Sequence, residues 1–594
     1  MPKTLSRPYR FYIQKHKGLF SLGVIALLIT NLFDSFIPLF IGQALDRIVD
    51  FESMTEVTRT LGVIAGLTLG LSVFRYFWRI LWGRFHVSVA DDLRQRIYSH
   101  FVQLGPGFYQ RRSTGDLMSL INNDVNSFRM AIGPGILILL DAVFLILIIT
   151  PIMLSLSVPW TLKTLVLMPL VPFVVKKVID EIHNRYRRQQ DQFAELSGSA
   201  QEVVSGIKTI KAYAQEKNQT QLFNVFNRKY EMACNQVAKV DASFSPVLEL
   251  SVTVGSVILL VVGAPAVIAG EVTVGQFFAF YQYIQRMVWP MSALGIGFNY
   301  IQEGNASFAR IGEVLNSPPD ILPQGKTAVE HFQKLEVRHL NFFHPDKDLP
   351  TLKDISFTLK AGEILGITGM TGSGKSTLVD LLTRVQPAPA QSLFINGIPV
   401  EDIELSHYRR LISVVPQDAF LFSNTVSQNI ALGCDAEDPQ QVEEVSQVVD
   451  MDREIRDFPM GYESILGEKG VNLSGGQRQR LTLARALLRK APMIILDDSL
   501  SAVDRQTEKR ILDQIQSALA DKDSQAKAPA CIIISHRLAA LEWADQILVL
   551  DQGQVECFGP REKVLRESPT LRKIAALQSE SEGVFNPDEV PNYV

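Results

Sequence analysis

Six long apolar stretches in the first half of the chain restrict its fold more than any other sequence feature. An α-helix needs roughly 20 apolar residues to cross the hydrocarbon core of a bilayer. Stretches of about this length lie at 19–45, 60–82, 131–155, 160–178, 245–269 and 274–297. We predict an all-α membrane domain with six spanning helices, and an even number of spans returns the chain to the side on which it began.

Basic residues identify that side as the cytoplasm. The N-terminal segment and the long connections 84–130 and 176–240 are rich in Lys and Arg, whereas the three short connections contain only Arg47 and Arg59. Segments rich in positive charge stay in the cytoplasm. Both termini and both long connections are therefore predicted to be cytoplasmic.

The two long connections are predicted to extend the spans as amphipathic helices. They are rich in Gln, Arg, Glu and Ala and contain few helix breakers. Breaks fall at Gly105-Pro106-Gly107 and near Gly206. A short connecting helix at each break would face a domain below the membrane; solvated helical hairpins are the alternative.

The overall composition excludes some classes of function. Lys and Arg total 58 against 62 Asp and Glu, so the chain lacks the strong positive field that binds nucleic acid. Its four cysteines have neither metal-ligand spacing nor the pattern of a disulfide framework. No nucleic-acid partner is expected.

From about residue 330, short β-rich runs alternate with helical segments, which is typical of α/β architecture. One run, Ile364–Thr368, leads directly into a glycine-rich loop and then a helix. This order matches the phosphate-binding P-loop, in which backbone N–H groups and a Lys surround the phosphates of a nucleotide. The predicted nucleotide ligands are Gly369, Thr371, Gly372, Ser373, Gly374, Lys375, Ser376 and Thr377.

A second apolar run, Met493–Leu496, ends in Asp497 and matches the Walker B strand. Its carboxylate is predicted to hold Mg²⁺ together with the Ser376 hydroxyl. A buried structural Asp is the alternative.

Between these two motifs lies Leu473-Ser474-Gly475-Gly476-Gln477, and with it the sequence resembles the ABC transporter family over nearly its whole length. The resemblance implies a six-helix transmembrane domain fused to an α/β P-loop nucleotide-binding domain. It also implies an ATP hydrolase coupled to transport, with ATP and Mg²⁺ as ligands. The implied membrane domain, linker, nucleotide-binding domain and polar tail are 1–315, 316–330, 331–577 and 578–594.

The other motifs of the family are matched residue by residue. The Q-loop, exporter X-loop, D-loop carboxylate and switch histidine fall at Gln417, 466–470, Asp504 and His536. The resemblance implies that Gln417 and His536 take part in catalysis, and that Gln417 also joins Ser376 and Asp497 at Mg²⁺. The segments 108–116 and 206–213 resemble the two coupling helices of exporters.

The signature residues Ser474, Gly475, Gly476 and Gln477 open a helix and so form a second anion site, with nothing in their own chain to bind. In the family, two nucleotide-binding domains meet head to tail. The signature of one then contacts the ATP held by the Walker motifs of the other. The implied partners are a second ABC half-transporter, the lipid bilayer and a small-molecule substrate.

One departure from the family pattern lies next to the Walker B aspartate. The family expects Glu there, to polarise the attacking water, and this chain has Asp498. Its carboxylate would fall roughly 1.5 Å short, more than catalytic geometry tolerates. We predict a catalytic site that binds ATP and hydrolyses it slowly; an Asp that works after a small backbone shift is the alternative.

Because the signature is nevertheless intact, the chain resembles the degenerate-site subunit of a bacterial heterodimeric multidrug exporter. The partner would then carry the missing Glu. A homodimer, which would contain two weakened sites, is the alternative.

A second departure is His344, at the position where family chains carry Tyr before Pro to stack on adenine. We expect His344 or Phe343 to stack there, or adenine binding to be weaker; a surface histidine without a ligand is the alternative.

Three acidic residues, Asp34, Asp141 and Glu249, fall within predicted spans, where a charge is costly unless it faces water, protein or a ligand. They are candidates for a transport cavity, and an acidic cavity would favour cationic amphiphiles. A helix end or an interhelical hydrogen bond is the alternative for each.

Aromatic residues of the last span would line an apolar surface or pack in the core: Phe277, Phe278, Phe280, Tyr281, Tyr283, Trp289 and Phe298.

The expected function is that of an exporter subunit in a bacterial inner membrane. By alternating access it would move amphiphilic small molecules or drugs out of the cytoplasm or the inner leaflet. A lipid or peptide exporter and an ATP-gated, channel-like subunit are the alternatives. Import is disfavoured because the membrane and nucleotide-binding domains are fused and no binding-protein module occurs.

Overall fold

The computed structural model describes residues 8–165, 171–321, 325–344, 349–434, 437–467, 470–499, 507, 509–511, 513 and 529–581. Asp504 and residues 468 and 469 of the predicted X-loop lie outside these ranges. The chain divides into two compact units. One contains Met1–Gln103 and Arg112–Ser317, and the other contains Leu104–Arg111 and Pro318–Val594.

The first unit is helical throughout its described residues. Its helices are α1 (Pro8–Lys15), α2 (Lys17–Val49) and α3 (Met54–Phe101), and, after a short helix α4 (Pro106–Gln110) that belongs to the second unit, α5 (Thr114–Ser119), α6 (Val125–Met130), α7 (Ile136–Leu156), α8 (Val158–Leu165), α9 (Val171–Ser205), α10 (Ile207–Ala212), α11 (Glu216–Asp241), α12 (Phe244–Ile268) and α13 (Val274–Leu315). π-Helical turns at Leu120–Asp124 and Ala131–Gly135 join α5, α6 and α7 into one continuous rod.

Within the described residues, three helices are long and apolar enough to cross a membrane: Lys17–Val49, Met54–Phe101 and Thr114–Leu156. They contain the first three predicted spans. A shorter apolar helical segment, Thr253–Ile268, falls inside the fifth. The fourth predicted span includes residues 166–170, which lie outside the described ranges, and the sixth lies within α13. The total of six spans stays a prediction.

The helix breaks expected in the two long connections are present. Helix α3 continues to Phe101, well past the end of the second predicted span, and α4 begins at Pro106 directly after Gly105. A proline at the first helical position loses nothing, because the N–H at that position has no intrahelical partner. In the second connection, α9 ends at Ser205 and Gly206 precedes the short helix α10.

Helices α2 and α13 are in close backbone contact at Gly42 and Gly275, which have no side chains. A Cβ atom built on Gly275 would lie 1.9 Å from the carbonyl oxygen of Gly42, so only hydrogen fits there. The carboxylate of Asp46 accepts hydrogen bonds from the Gly275 N–H at 2.6 Å and from the Thr273 hydroxyl at 2.7 Å. Asp46 therefore caps the start of α13 and holds it against α2.

The second unit is built on two sheets. Its strands are β1 (Lys334–Phe342), β2 (Leu352–Lys360), β3 (Ile364–Gly369), β4 (Leu393–Ile395), β5 (Ile398–Pro399), β6 (Ile412–Val415), β7 (Met493–Asp497), β8 (Ala530–Ile534), β9 (Gln546–Asp551) and β10 (Gln554–Pro560). One sheet is antiparallel with order β2-β1-β4-β5, and the other has order β10-β9-β3-β8-β7-β6 and is parallel except for its β10 edge. The predicted α/β architecture is confirmed.

Helices pack against these sheets, and the contacts form two hydrophobic clusters. They are α14 (Lys375–Leu382), α15 (Leu405–Arg410), α16 (Val426–Ala431), α17 (Pro439–Val448), α18 (Asp452–Arg456), α19 (Gly475–Leu488), α20 (Arg561–Glu567) and α21 (Pro569–Ser581). The P-loop helix α14 packs into the first cluster through Leu378 and Leu381, whereas α19 packs into the second through Leu481 and Leu483. The two predicted anion sites therefore belong to separate cores.

The contact between α2 and α13 predicts a stability defect in Gly275→Ala. The added methyl group must displace the Gly42 backbone, and overpacking of this kind costs about 1–3 kcal/mol. We expect a lower midpoint in a thermal unfolding scan of the purified membrane protein. Gly62→Ala is the control, since no heavy atom lies within 4 Å of a Cβ at that position. Equal unfolding midpoints for the two variants would contradict the close packing of α2 on α13.

Candidate nucleotide-binding site

The site is assembled by the register of four parallel strands. Ile534 on β8 pairs with Ile367 on β3 and with Asp497 on β7, and Val415 on β6 pairs with Leu496. The C-terminal ends of these strands therefore lie at one edge of the sheet, which is where open α/β sheets bind ligands. Gly369, His536 and Gln417 each follow two residues after a paired position, so the sheet brings the P-loop, Walker B, switch and Q-loop residues to the same edge.

The loop between β3 and α14 folds tightly because of its glycines. Gly374 precedes the first residue of α14 with a φ of 98°, a left-handed conformation that residues with a side chain rarely adopt. A Cβ there would lie 2.6 Å from the Leu352 side chain. The resulting loop ends at a helix N-terminus, where unpaired backbone N–H groups favour an anion. This cradle fits the triphosphate of ATP.

Lys375 places a buried cation at the centre of this cradle. Its Nζ donates hydrogen bonds to the carbonyl oxygens of Gly369 at 2.9 Å and Met370 at 3.0 Å, and to the Ser373 hydroxyl at 3.3 Å. Burial lowers the pKa of Lys375, and the nearby carboxyl groups of Asp497 and Asp498 oppose that shift. A phosphate would supply the negative charge that such a desolvated ammonium requires.

Asp497 lies at the end of β7 and is 8% exposed. Burial raises its pKa to about 6; Asp498 and Asp380 add to the shift, and Lys375 opposes it. The oxygen donors expected at Mg²⁺, from Ser376, Gln417 and Asp497, are the type that this ion prefers. Within the described residues, no group of three His, Cys, Asp or Glu side chains forms a metal cage.

Asp498 follows β7 and His536 follows β8, at the same edge of the sheet. The Asp498 N–H donates a hydrogen bond to the Ile534 carbonyl at 2.9 Å, and its backbone has a φ of 44°. Burial lowers the pKa of His536, Lys375 adds to that shift, and Asp498 and a hydrogen bond with Gly369 oppose it. His536 is therefore neutral at pH 7 and can accept as well as donate a hydrogen bond.

His344 lies beside the first turn of the P-loop helix. Its Nε2 is 3.5 Å from the Thr377 hydroxyl, and its ring centroid lies 5.2 Å from that of Phe342, edge to face. The neighbouring Phe343 is 53% exposed. Gln417 is exposed directly beyond β6. Whether His344 or Phe343 stacks on adenine stays a prediction.

The signature forms a capped helix start. The Ser474 hydroxyl accepts a hydrogen bond from the Gln477 N–H at 3.2 Å, and the Gln477 side-chain oxygen accepts one from the Ser474 N–H at 2.9 Å. The amide nitrogen of Gln477 also donates to Glu454 at 2.8 Å, and Arg480 pairs with the other oxygen of Glu454 at 2.7 Å. Gly475 and Gly476 thus open α19 from a fixed position.

Several of these contacts could not be expected from motifs. Glu454 lies outside the signature, and no local pattern connects it with Gln477. Asp320 in the linker accepts a hydrogen bond from the Gly107 N–H at 3.2 Å, which ties the linker to the first turn of α4.

The three acidic residues of the predicted spans have different surroundings. Asp34 forms an ion pair with Arg286, a residue of α13 that the sequence analysis did not single out. Asp141 accepts hydrogen bonds from Asn31 at 2.9 Å and from Trp289 at 3.2 Å. Glu249 is exposed on α12. The structure therefore does not bring the three together in one cluster of contacts.

The aromatic residues of α13 divide in the same way. Phe280 and Tyr283 are fully buried in the helical core, whereas Tyr281, Trp289 and Phe298 are 36%, 50% and 65% exposed. Phe277 packs edge to face against Trp160. Core packing thus accounts for some of the predicted set, and an exposed surface remains for the others.

Comparisons with known proteins agree with this geometry. Residues 20–291 match the family model for the ABC transporter transmembrane region, and residues 352–501 match the ABC transporter model. The multidrug resistance-like ATP-binding protein MdlA of Buchnera aphidicola subsp. Schizaphis graminum is 34% identical, over 92% of this chain and 94% of its own. The probable multidrug resistance ABC transporter ATP-binding/permease protein YheI of Bacillus subtilis is 33% identical, over 96% of both chains.

A similarity in structure covers the same length. The solved structure of a bacterial Atm1-family ABC exporter with ATP bound superimposes with a TM-score of 0.75, over 96% of this chain and 99% of that one. At 21% identity this similarity concerns the fold alone. It supports the order of a helical domain followed by an α/β domain.

The position of His344 predicts a base-specific defect in His344→Ala. Stacking of a base on an aromatic ring contributes about 1–3 kcal/mol, so we expect MgATP affinity to fall about 10-fold or more in a fluorescence titration. Affinity for pyrophosphate, which has no base, should not change, and His344→Tyr should bind ATP at least as well as the parent chain.

His339→Ala is the matched control for this experiment. His339 is exposed on β1 and its ring pairs with Asp354 at 2.7 Å. An equal loss of ATP affinity in both histidine variants, or a parallel loss of pyrophosphate affinity, would rule out stacking by His344.

Proposed function

This chain belongs to the ABC transporter family, and from that membership we propose that it forms one half of an ATP-driven exporter of amphiphilic small molecules or drugs. The membrane region and the ATPase occur in one chain, which is the arrangement expected for export. The relatives named for multidrug resistance support a drug-like cargo. The proposed location is a bacterial inner membrane, with the nucleotide-binding domain in the cytoplasm.

The residues at the sheet edge supply the parts of an ATPase site. Lys375 and the N–H groups of the P-loop would hold and neutralise the phosphates, and Ser376, Gln417 and Asp497 would hold Mg²⁺. The ion, when bound, withdraws charge from the β- and γ-phosphate oxygens. We assign the orientation of the attacking water to Asp498, and a hydrogen bond to the γ-phosphate to His536.

The backbone of Asp498 is the single observation that carries the proposal of slow hydrolysis. An Asp can match the reach of Glu only if its backbone moves toward the phosphate. The 2.9 Å bond from the Asp498 N–H to Ile534 anchors that backbone to a buried strand, so such a movement would leave a buried carbonyl unpaired. We infer that the Walker site of this chain binds ATP and hydrolyses it slowly, so that ATP stays bound.

The signature supports a partner with a complete catalytic carboxylate. Its helix start is held in place by Glu454 and Arg480, so its backbone N–H groups are ready for an anion supplied from outside the chain. We propose a different ABC half-transporter as the partner, with Glu after its Walker B Asp. ATP bound between the two chains then closes them, and hydrolysis at the partner's Walker site releases them.

The reach argument predicts that Asp498→Glu accelerates ATP hydrolysis at this site. We expect at least about a 10-fold increase in turnover, because the added methylene returns the carboxylate to the water. The measurement uses the complex whose partner carries Gln in place of its catalytic Glu, so that phosphate release reports on this site alone.

Asp498→Asn is the control for that variant. Asn accepts the left-handed backbone as readily as Asp, so the variant removes the charge without disturbing the fold. It should hydrolyse no faster than the parent chain. Unchanged turnover in Asp498→Glu would mean that side-chain reach does not limit this site.

The export function predicts uphill transport in inverted membrane vesicles. Vesicles that contain both chains should accumulate a fluorescent amphiphile against its gradient when ATP is added. Replacing the partner's catalytic Glu by Gln should abolish that accumulation, because the energy of hydrolysis no longer reaches the membrane helices.

The two alternatives give different results in the same vesicles. An ATP-gated channel would permit downhill flux without accumulation, and binding of ATP would be sufficient for it. A lipid exporter would respond to labelled phospholipids or lipid A analogues and not to soluble amphiphiles. Either result would replace small-molecule export as the function.

A further inference from the structure

Two neighbouring groups of polar side chains link α2, α7 and α13 in the membrane unit. In the first, Arg286 of α13 forms an ion pair with the Asp34 carboxylate and donates a hydrogen bond to the Asp34 carbonyl at 2.7 Å. Both side chains are 28% exposed. The guanidinium is thus committed to Asp34, and the charges of this pair cancel.

The second group is centred on Asp141 of α7. One carboxyl oxygen accepts a hydrogen bond from the Asn31 amide at 2.9 Å, and the other accepts one from the Trp289 indole N–H at 3.2 Å. Both carboxyl oxygens therefore accept a hydrogen bond from a neutral donor. In the described part of the chain these neutral groups are its hydrogen-bond donors, and no Lys or Arg pairs with it.

The two groups are adjacent along the helices. Asn31 and Asp34 are three residues apart on α2, and Arg286 and Trp289 are three residues apart on α13, so each pair occupies one helix face. Together the groups contain two carboxylates and one guanidinium. They therefore carry a net charge of one negative unit, located at Asp141.

The side of α13 that carries Trp289 differs from a lipid-facing surface. Tyr281, Gln285 and Trp289 follow each other at four-residue intervals, and all three are exposed. The Gln285 amide donates a hydrogen bond to the Tyr281 hydroxyl at 3.0 Å. Polar atoms of this kind are unfavourable in hydrocarbon and are found where a helix faces a cavity or protein.

From this arrangement we propose that Asp141 and Trp289 form a binding site for lipophilic organic cations. The carboxylate supplies the counter-charge, and the half-exposed indole offers an aromatic face that attracts a cation. Asp34 is excluded as the anchor because Arg286 already neutralises it. The inference rests on the proposed export function and names the class of substrate that the membrane unit selects.

The experiment compares probes of similar shape and different charge. Tetraphenylphosphonium is the cation, triphenylphosphine oxide is the neutral compound and tetraphenylborate is the anion. Equilibrium binding of each to the full-length chain in lipid nanodiscs is measured by flow dialysis. We expect the cation to bind more tightly than the other two probes.

Asp141→Asn should weaken tetraphenylphosphonium binding about 10-fold or more and leave triphenylphosphine oxide binding unchanged. Asp141→Glu keeps the charge and should retain most of the cation preference. Glu271→Gln is the matched control: it removes one exposed negative charge from the same unit and should not alter binding. Trp289→Phe keeps an aromatic face but releases one carboxyl oxygen, so its effect should be smaller than that of Asp141→Asn.

Two results would overturn the proposed site. One is equal binding of tetraphenylphosphonium to Asp141→Asn and to the parent chain. The other is an equal loss of cation and neutral probes, which would mean that Asp141 only maintains the fold. ATP-driven accumulation of tetraphenylphosphonium in vesicles tests the export function separately. Charge-selective binding without accumulation would support the site and contradict export.

Discussion

The parallel pairing of β3, β8, β7 and β6 is the constraint on which the chemistry of this protein depends. It aligns the ends of four segments that are far apart in the sequence, and it buries Lys375 and Asp497 next to one another. Burial lowers the pKa of Lys375 and raises that of Asp497, and both shifts favour the neutral form. The charged forms of both groups therefore need opposite charge from a ligand. Under the proposed function, nucleotide phosphate and a divalent cation would supply those charges together, as one complex.

The two anion sites of the chain belong to different parts of the hydrophobic core. The groups that hold phosphate pack into the first hydrophobic cluster, whereas the signature helix α19 packs into the second. Gly374 shapes the first anion site, and the Ser474–Gln477 capping box shapes the second. Under the proposed pairing, the shortened side chain of Asp498 affects one of two composite sites. Binding and hydrolysis can then be divided between the chains.

Local motifs predicted much of this, and contacts between distant segments did not follow from them. Strands with a buried apolar run and a P-loop are encoded within a few consecutive residues, so their positions could be predicted. The pair Asp34–Arg286 joins residues separated by 252 positions, and the bond from Gly107 to Asp320 spans 213. No periodicity or spacing indicates such pairs. The left-handed backbone of Asp498 does not follow from the sequence either, because Asp is compatible with this conformation without requiring it.

One physical rule about buried charge applies in each of the two units. A charge removed from water is retained where a counter-charge compensates it, and that counter-charge comes from the chain itself or from a ligand. Asp34 illustrates the first case, because Arg286 neutralises it and the pair serves to join α2 with α13. Lys375 at the proposed nucleotide site and Asp141 at the proposed cation site would illustrate the second case. The hydrogen-bond partners of Lys375 do not fully compensate its burial, and those of Asp141 carry no charge. The acidic residues of the predicted spans are therefore unequal candidates for substrate contact, and their partners, not their positions in the sequence, distinguish them.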